Sequence, residues 1–215
     1  MAAYSVAELK RDIRIALDQN MTSEQLFDTA DIDTLSLEDI IESKIEDAAR
    51  VVLRDAPLYL LDGGENFGES VGWFSQVGYG GGYILLPDDF LRLVSFQMSD
   101  WSRAVSNPIS EDDPLYARQS SRFPGIRGNT QNPVVAIVSR PTGQVLEFYS
   151  CSMGEGVTVK RATYIPIPKI ENGYIHISEK LRSAVVYYTA SLVALTIGQA
   201  DIATALLNFS KDLVQ

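Results

Sequence analysis

The sequence predicts an α+β fold in which N- and C-terminal helices close into an antiparallel helical bundle, with an antiparallel β-sandwich of about six strands inserted between them. Three observations carry this expectation. Prolines and glycines concentrate between Gly63 and Gly173, while the first and last forty residues are nearly free of both. Segments near both termini repeat apolar residues at helical spacing. Between Tyr83 and Met98, two β-type runs flank a Pro87-Asp88-Asp89 corner. Pro87 lacks the N–H a ladder needs and the aspartates bond to nearby backbone, so one strand stops there and another restarts at Phe90. The expected boundaries are 1–62 for the N-terminal helical part, 63–173 for the insertion and 174–215 for the C-terminal helices completing the bundle.

The elements follow in order. Ser5-Val6-Ala7-Glu8 reads as a capping box opening a first helix, with Leu9, Ile13, Ala16 and Leu17 as its apolar face and Asn20 as its stop. Residues 20–35 are acidic and irregular, a linker or a short helical turn. Ser36 and Asp39 open a second helix whose stripe is Leu37, Ile41, Ile45, Ala48 and Val52, while Asp39, Glu42, Glu46 and Arg50 lie on another face. Pro57 ends it after about twenty residues, a rod of roughly 30 Å. Leu58 to Leu61 is a short apolar run closed by Asp62-Gly63-Gly64. Gly78-Tyr79-Gly80-Gly81-Gly82 reads as a flexible hairpin or loop. A phosphate-cradling loop is excluded, because no Gly-Lys-Ser/Thr follows and no helix opens there. Further strands are expected at 103–105, 133–138, 145–149 and 157–165, the last alternating with period two. A long loop over 106–132 carries Glu111-Asp112-Asp113-Pro114 and then Arg118, Arg122 and Arg127; loops of this length either dock a partner or stay flexible. Ser178 caps a third helix with the face Leu181, Val185, Tyr188, Leu192 and Leu195. After Gly198, Asp201 caps a fourth with Ile202, Ala205, Leu206, Phe209 and Leu213 as its buried face.

Composition narrows the function classes. The formal charge is −10, and residues 1–65 hold fifteen acidic and six basic residues against thirteen and twelve in the rest. An N-terminal part of that charge repels nucleic acid, which disfavours a phosphate clamp but not a surface past which DNA slides. The single cysteine, Cys151, rules out an internal disulfide framework and reads as a buried small hydrophobe. No seven-residue apolar core follows the charged start, so no secretory signal is expected. The uncharged stretch Ser183 to Ala200 is at the lower edge for a membrane span and, with its Ser, Thr, Gly and Gln, reads better as a buried helix. No catalytic, metal or cofactor-binding constellation stands out. His176 is the only histidine and has no second ligand nearby; Asp88-Asp89 and Asp112-Asp113 are adjacent residues that point apart. Trp73, Phe74, Tyr79 and Tyr83 leave a second class open, a monomeric β-sandwich binding module for a carbohydrate or a host surface.

Several stretches, in order, resemble the head-to-tail adaptor proteins of short-tailed bacteriophages, of the tail tubular protein A kind. They are the acidic N-terminal helices, Leu86-Pro87-Asp88-Asp89-Phe90-Leu91-Arg92-Leu93, Val145-Leu146-Glu147-Phe148-Tyr149, Tyr164-Ile165-Pro166-Ile167-Pro168, and Ile177-Ser178-Glu179 at the entry to a long helix. The chain departs from that pattern after Tyr149, where Ser150-Cys151-Ser152 stands in place of an expected proline. The resemblance implies a non-enzymatic virion protein at the head-tail junction, made in the host cytoplasm. It implies a ring of about twelve copies between a portal protein and a tail tube or nozzle, with DNA passing through the lumen and no membrane or cofactor. On this reading Asp39, Glu42 and Glu46 face the lumen, where like charge keeps DNA from sticking, and Arg118, Arg122 and Arg127 form a partner-docking loop.

Overall fold

The computed structural model describes residues 2–17, 36–68, 70–74, 80–123, 125–152 and 156–215. The expected stop at Asn20, the 20–35 linker, Gly78 and Tyr79 lie outside these. In chain order the elements are β1 (Ala2–Ser5), α1 (Val6–Ala16), α2 (Leu37–Asp55), β2 (Glu65–Asn66), β3 (Gly72–Trp73), β4 (Gly80–Leu85), β5 (Phe90–Met98), β6 (Ile109–Ser110), α3 (Pro114–Arg118), β7 (Val135–Arg140), β8 (Gly143–Cys151), β9 (Val159–Pro166), β10 (Ile170–Glu171), β11 (Tyr174–Ile177), α4 (Arg182–Thr196) and α5 (Ala200–Asp212). Short 3-10 turns stand at Leu58–Leu60 and Glu179–Leu181. Two compact units result, one built from Met1–Gly63 with Ile167–Gln215, the other from Gly64–Pro166.

The fold is α+β, but the expected antiparallel bundle around a six-stranded sandwich does not form. The helices are short and scattered, and the strands lie in three sheets, ordered β1-β11-β10, β2-β9-β5 and β3-β4-β8-β7-β6. The reason is a set of strands too short to show alternation in the sequence: β1, β2, β3, β6, β10 and β11 have two to four residues each. One of them, β6, runs parallel to β7, so the largest sheet is mixed. The stretch at 103–105 contributes only an isolated bridge from Val105 to Phe96.

In the first unit, β1 pairs antiparallel with β11, Ala3 opposite His176. This strand takes Ser5 out of the expected capping box: Ser5 makes no side-chain cap, and the Val6 N–H donates to the Gly173 carbonyl instead. Ser36 does cap α2, accepting from the Asp39 N–H while the Asp39 carboxylate takes the Ser36 N–H. The stripe Ile41, Ile45, Ala48 and Val52 is buried, as are Leu9 and Ile13 of α1. Helix α4 packs against α1, α2 and α5 and is buried on most of its circumference, although Leu195 is exposed. Helix α5 departs most from expectation. It buries Ala203, Leu206 and Ser210, with the Ser210 hydroxyl donating to the Ala184 carbonyl at 2.8 Å, and turns Ile202, Phe209 and Leu213 outward. Small residues allow close approach to α4, and that contact outweighs the larger apolar stripe.

In the second unit, the Pro87-Asp88-Asp89 corner is a turn closed by the Phe90 N–H on the Pro87 carbonyl. It carries the chain from β4 in the five-stranded sheet to β5 in the three-stranded one. Asp89 accepts from the Tyr164 hydroxyl at 3.0 Å, so this aspartate supports the corner. The core holds Ile84, Leu93, Phe96, Met98, Trp101, Leu146 and Phe148, with Phe96 tilted on Phe148 at 5.8 Å and edge-on to Trp101 at 5.5 Å. Gly80, Gly81 and Gly82, expected in a flexible hairpin or loop, are strand residues of β4, with Gly80 and Gly82 paired to β8 and the register shifting between them. A Cβ on Gly82 would stand 2.5 Å from the Gly72 carbonyl oxygen and 2.8 Å from the Phe148 ring, so close approach, not turn geometry, requires glycine there.

Candidate functional site

Alternation along β8 sets up the second unit's polar centre. Leu146 and Phe148 face the core, while Val145, Glu147 and Tyr149 face the other side of the sheet. That side is covered by residues of the 106–132 excursion, with Ile109 and Tyr116 packed against Val145, Val138 and Tyr149. Glu147 is thereby 2% exposed. A carboxylate in such a place needs partners on both oxygens, and it has them. Oε1 accepts from Arg140 Nε at 2.9 Å and from its Nη2; Oε2 accepts from the Tyr116 hydroxyl at 3.2 Å and from the Tyr149 hydroxyl. Burial first, and the hydrogen bond to Glu147 second, push the Tyr149 phenol up. The hydrogen bond to Glu147 raises Arg140 further above its already high value. Burial, first, also pushes the Tyr116 phenol up, and Tyr116, Tyr149 and Arg140 together surround the Glu147 side chain with donors. A groove of about 470 Å³ opens beside them, lined by Phe74, Tyr116, Gln119, Arg140, Glu147 and Tyr149.

The aromatic residues expected as a sugar platform are engaged here. Phe74 is tilted on Tyr83 and stacked on Tyr149, and the Arg140 guanidinium lies over both Phe74 and Tyr83, 5.6 and 5.3 Å from their centroids. Trp73 meets Phe148 edge-on. Tyr79 lies outside the described residues. While making these contacts, Trp73 and Tyr83 keep 46% and 36% of their surface exposed.

The 106–132 excursion is a structured element. Its β6 pairs with β7, Asp113 caps α3 through the Leu115 N–H, and the buried Gln119 carboxamide donates to the Leu115 carbonyl and accepts from the Gly128 N–H. Arg118 and Arg122 are exposed. Arg127 instead turns inward and donates to the Tyr149 carbonyl at 2.9 Å, which makes it an anchor of the excursion.

The three acidic residues of α2 share a face, and each has a partner within the first unit. Asp39 closes the cap, and the hydrogen bond from the Ser36 side chain, then that from its backbone, hold its carboxyl below the usual value. Glu42 pairs with Lys10 of α1, and Glu46 accepts the Ile170 N–H at 2.7 Å. Arg14 of α1 adds a pair to Glu38. Asp39 and Glu42 remain exposed; Glu46 is half-buried. Beside the outward stripe of α5, a groove of about 550 Å³ between α1, α4 and α5 is lined by Ile15, Val186, Tyr187, Leu206 and Phe209 among others.

Among the described residues no group of three or more His, Cys, Asp or Glu is arranged to hold a metal. His176 is exposed on β11, and the Cys151 thiol is pushed up to about 12 by burial first and by the Asp100 carboxylate second. No helix among the described residues is long and apolar enough to cross a membrane. A comparison with protein-family models finds none that matches the chain, and a search of curated proteins finds no match.

Proposed function

We propose that the chain is a non-catalytic structural subunit of a head-to-tail adaptor ring, seated between a portal and a tail tube or nozzle, with DNA passing through its lumen. The observation that carries the reading is the outward stripe of α5. Ile202, Phe209 and Leu213 lie on one helix face, Phe209 being 60% exposed while stacked on Tyr187, and Ile15 of α1 and Leu195 of α4 are exposed as well. Each large side chain of this kind gains about 1.5–3 kcal/mol on full burial. Identical copies in a closed ring supply that burial by repeating one contact. The ordered motifs around Leu86–Leu93 and Tyr164–Pro168 support the same reading by their resemblance to the adaptor proteins. Within it, Asp39 and Glu42 face the lumen, with Glu46 bracing their helix against β10. The excursion holding Arg118 and Arg122 meets a neighbouring protein, with Arg127 fixing it in place.

The stripe is tested by Ile202→Gln with Phe209→Gln. The double variant should keep the wild-type far-ultraviolet dichroism and melt cooperatively, yet lose self-association in sedimentation velocity at concentrations where the wild type associates in the presence of a portal. Unchanged association by the folded variant would remove α5 as the contact.

A further inference from the structure

We propose that the outer surface of the excursion, between Leu115 and Arg127, is a docking site for the acidic segment 18–35 of a second copy of this chain. The proposal rests on the adaptor reading only for its assembly of identical copies. Residues 114–128 contain Arg118, Arg122 and Arg127 and no acidic residue, in a chain whose net charge is −10. Their apolar side chains point the wrong way for a free loop: Phe123 is 69% and Ile126 54% exposed, and Leu115 is exposed too. These are not loose ends. The Phe123 carbonyl accepts from the N–H groups of Ile126 and Arg127, and Gln119 staples the Leu115 carbonyl to the Gly128 N–H, so the helix and the following turn are held side by side. The result is three exposed apolar side chains carried on one hydrogen-bonded stretch together with two exposed arginines, Arg118 and Arg122. Acids of the same excursion, Glu111, Asp112 and Asp113, precede α3, and Asp113 is engaged as its cap.

The occupant is chosen by complementarity. Segment 18–35 holds Asp18, Glu24, Asp28, Asp31 and Asp33, no Lys or Arg, and the apolar residues Leu26, Phe27, Ile32 and Leu35. It therefore offers both things the surface lacks, negative charge for the arginines and apolar side chains for Phe123 and Ile126. Opposite charge steers the encounter and sets register, and apolar contact supplies most of the affinity.

A synthetic 18–35 peptide carrying a fluorophore, titrated with the full chain, should bind saturably by anisotropy, more weakly as salt rises. Arg118→Ala with Arg122→Ala should weaken it roughly tenfold, while Glu111→Ala with Asp112→Ala should not. Absence of saturable binding, or equal binding by the arginine double variant, overturns the site. The source of the segment is read by mixing two populations of full chain, one Thr29→Cys and the other Ser120→Cys, and oxidising them. A disulfide-linked pair of copies is expected. If a Thr29→Cys, Ser120→Cys single chain closes on itself and the mixture gives no linked pair, the segment belongs to the same copy and the proposal fails. Rings that form on a portal without this cross-link leave the adaptor reading standing and overturn only the docking site; a cross-link without rings does the reverse.

Discussion

Glu147 is the residue on which the outer face of the second unit depends. Its two oxygens take donors from β7, β8 and α3, so one side chain ties the mixed sheet to the excursion that covers it. Truncating it leaves the Arg140 guanidinium and two phenols without their shared acceptor, although Arg140 is itself 39% exposed at the side chain and relaxes in part. Glu147→Ala is therefore expected to cost about 2–4 kcal/mol, read from urea denaturation, and to open the chain to trypsin at Arg118 and Arg122. A loss under about 1 kcal/mol with unchanged proteolysis would show that the excursion holds without it. The sequence carried a signal for this residue, a lone acid inside the apolar run Val145 to Tyr149. What it could not show was the cover, since Tyr116 lies thirty-one positions away. The helix start at Ser36 and Asp39 was legible, because capping is local chemistry three residues wide, although the reciprocal bond from the Ser36 N–H to the Asp39 carboxylate was not. Ser5 carried the same pattern and lost it to a strand pairing with residues 174–177, which no local pattern encodes.

At the scale of elements, spacing was informative where a segment was long. Helices α2 and α4 and strands β5, β8 and β9 appear near their expected places. The Pro87 corner turns because Pro, Asp and Asp each act within a few residues of themselves. Glycines misled: three in a row look like a loop, yet at 80–82 they let β4 lie close to β3 and β8. Gly82→Ala forces a methyl onto the Gly72 carbonyl and the Phe148 ring and is expected to lower stability by about 2 kcal/mol or more, measured by the same denaturation. A loss within about 0.5 kcal/mol would place the variant in the ordinary surface range and contradict the close-approach account. Helix α5 also misled, since its widest apolar stripe suggested a core face. Of that stripe only Leu206 is buried; Ala203 and Ser210 complete the packed face, a choice that depends on the shape of α4 and not on hydrophobicity alone.

For the whole molecule, the composition shift located the β-rich stretch between two helical ends, but the architecture of three small sheets lay below the resolution of periodicity. Strands of two residues leave no alternation to read, and the sheet β1-β11-β10 joins residues more than 160 positions apart. The candidate surfaces divide in the same way. Charged faces and the arginine-bearing excursion were visible as composition; which apolar side chains stay outside was visible only in the fold. Those exposed side chains, Phe209 with Ile202 and Leu213 in one unit and Phe123 with Ile126 in the other, are the features that argue for assembly. The direct measurement is negative-stain imaging with native mass of the purified chain mixed with a short-tailed phage portal. Closed rings of about twelve copies, with a central hole wide enough for duplex DNA, are the expected result. A protein that stays monomeric beside an assembled portal contradicts it.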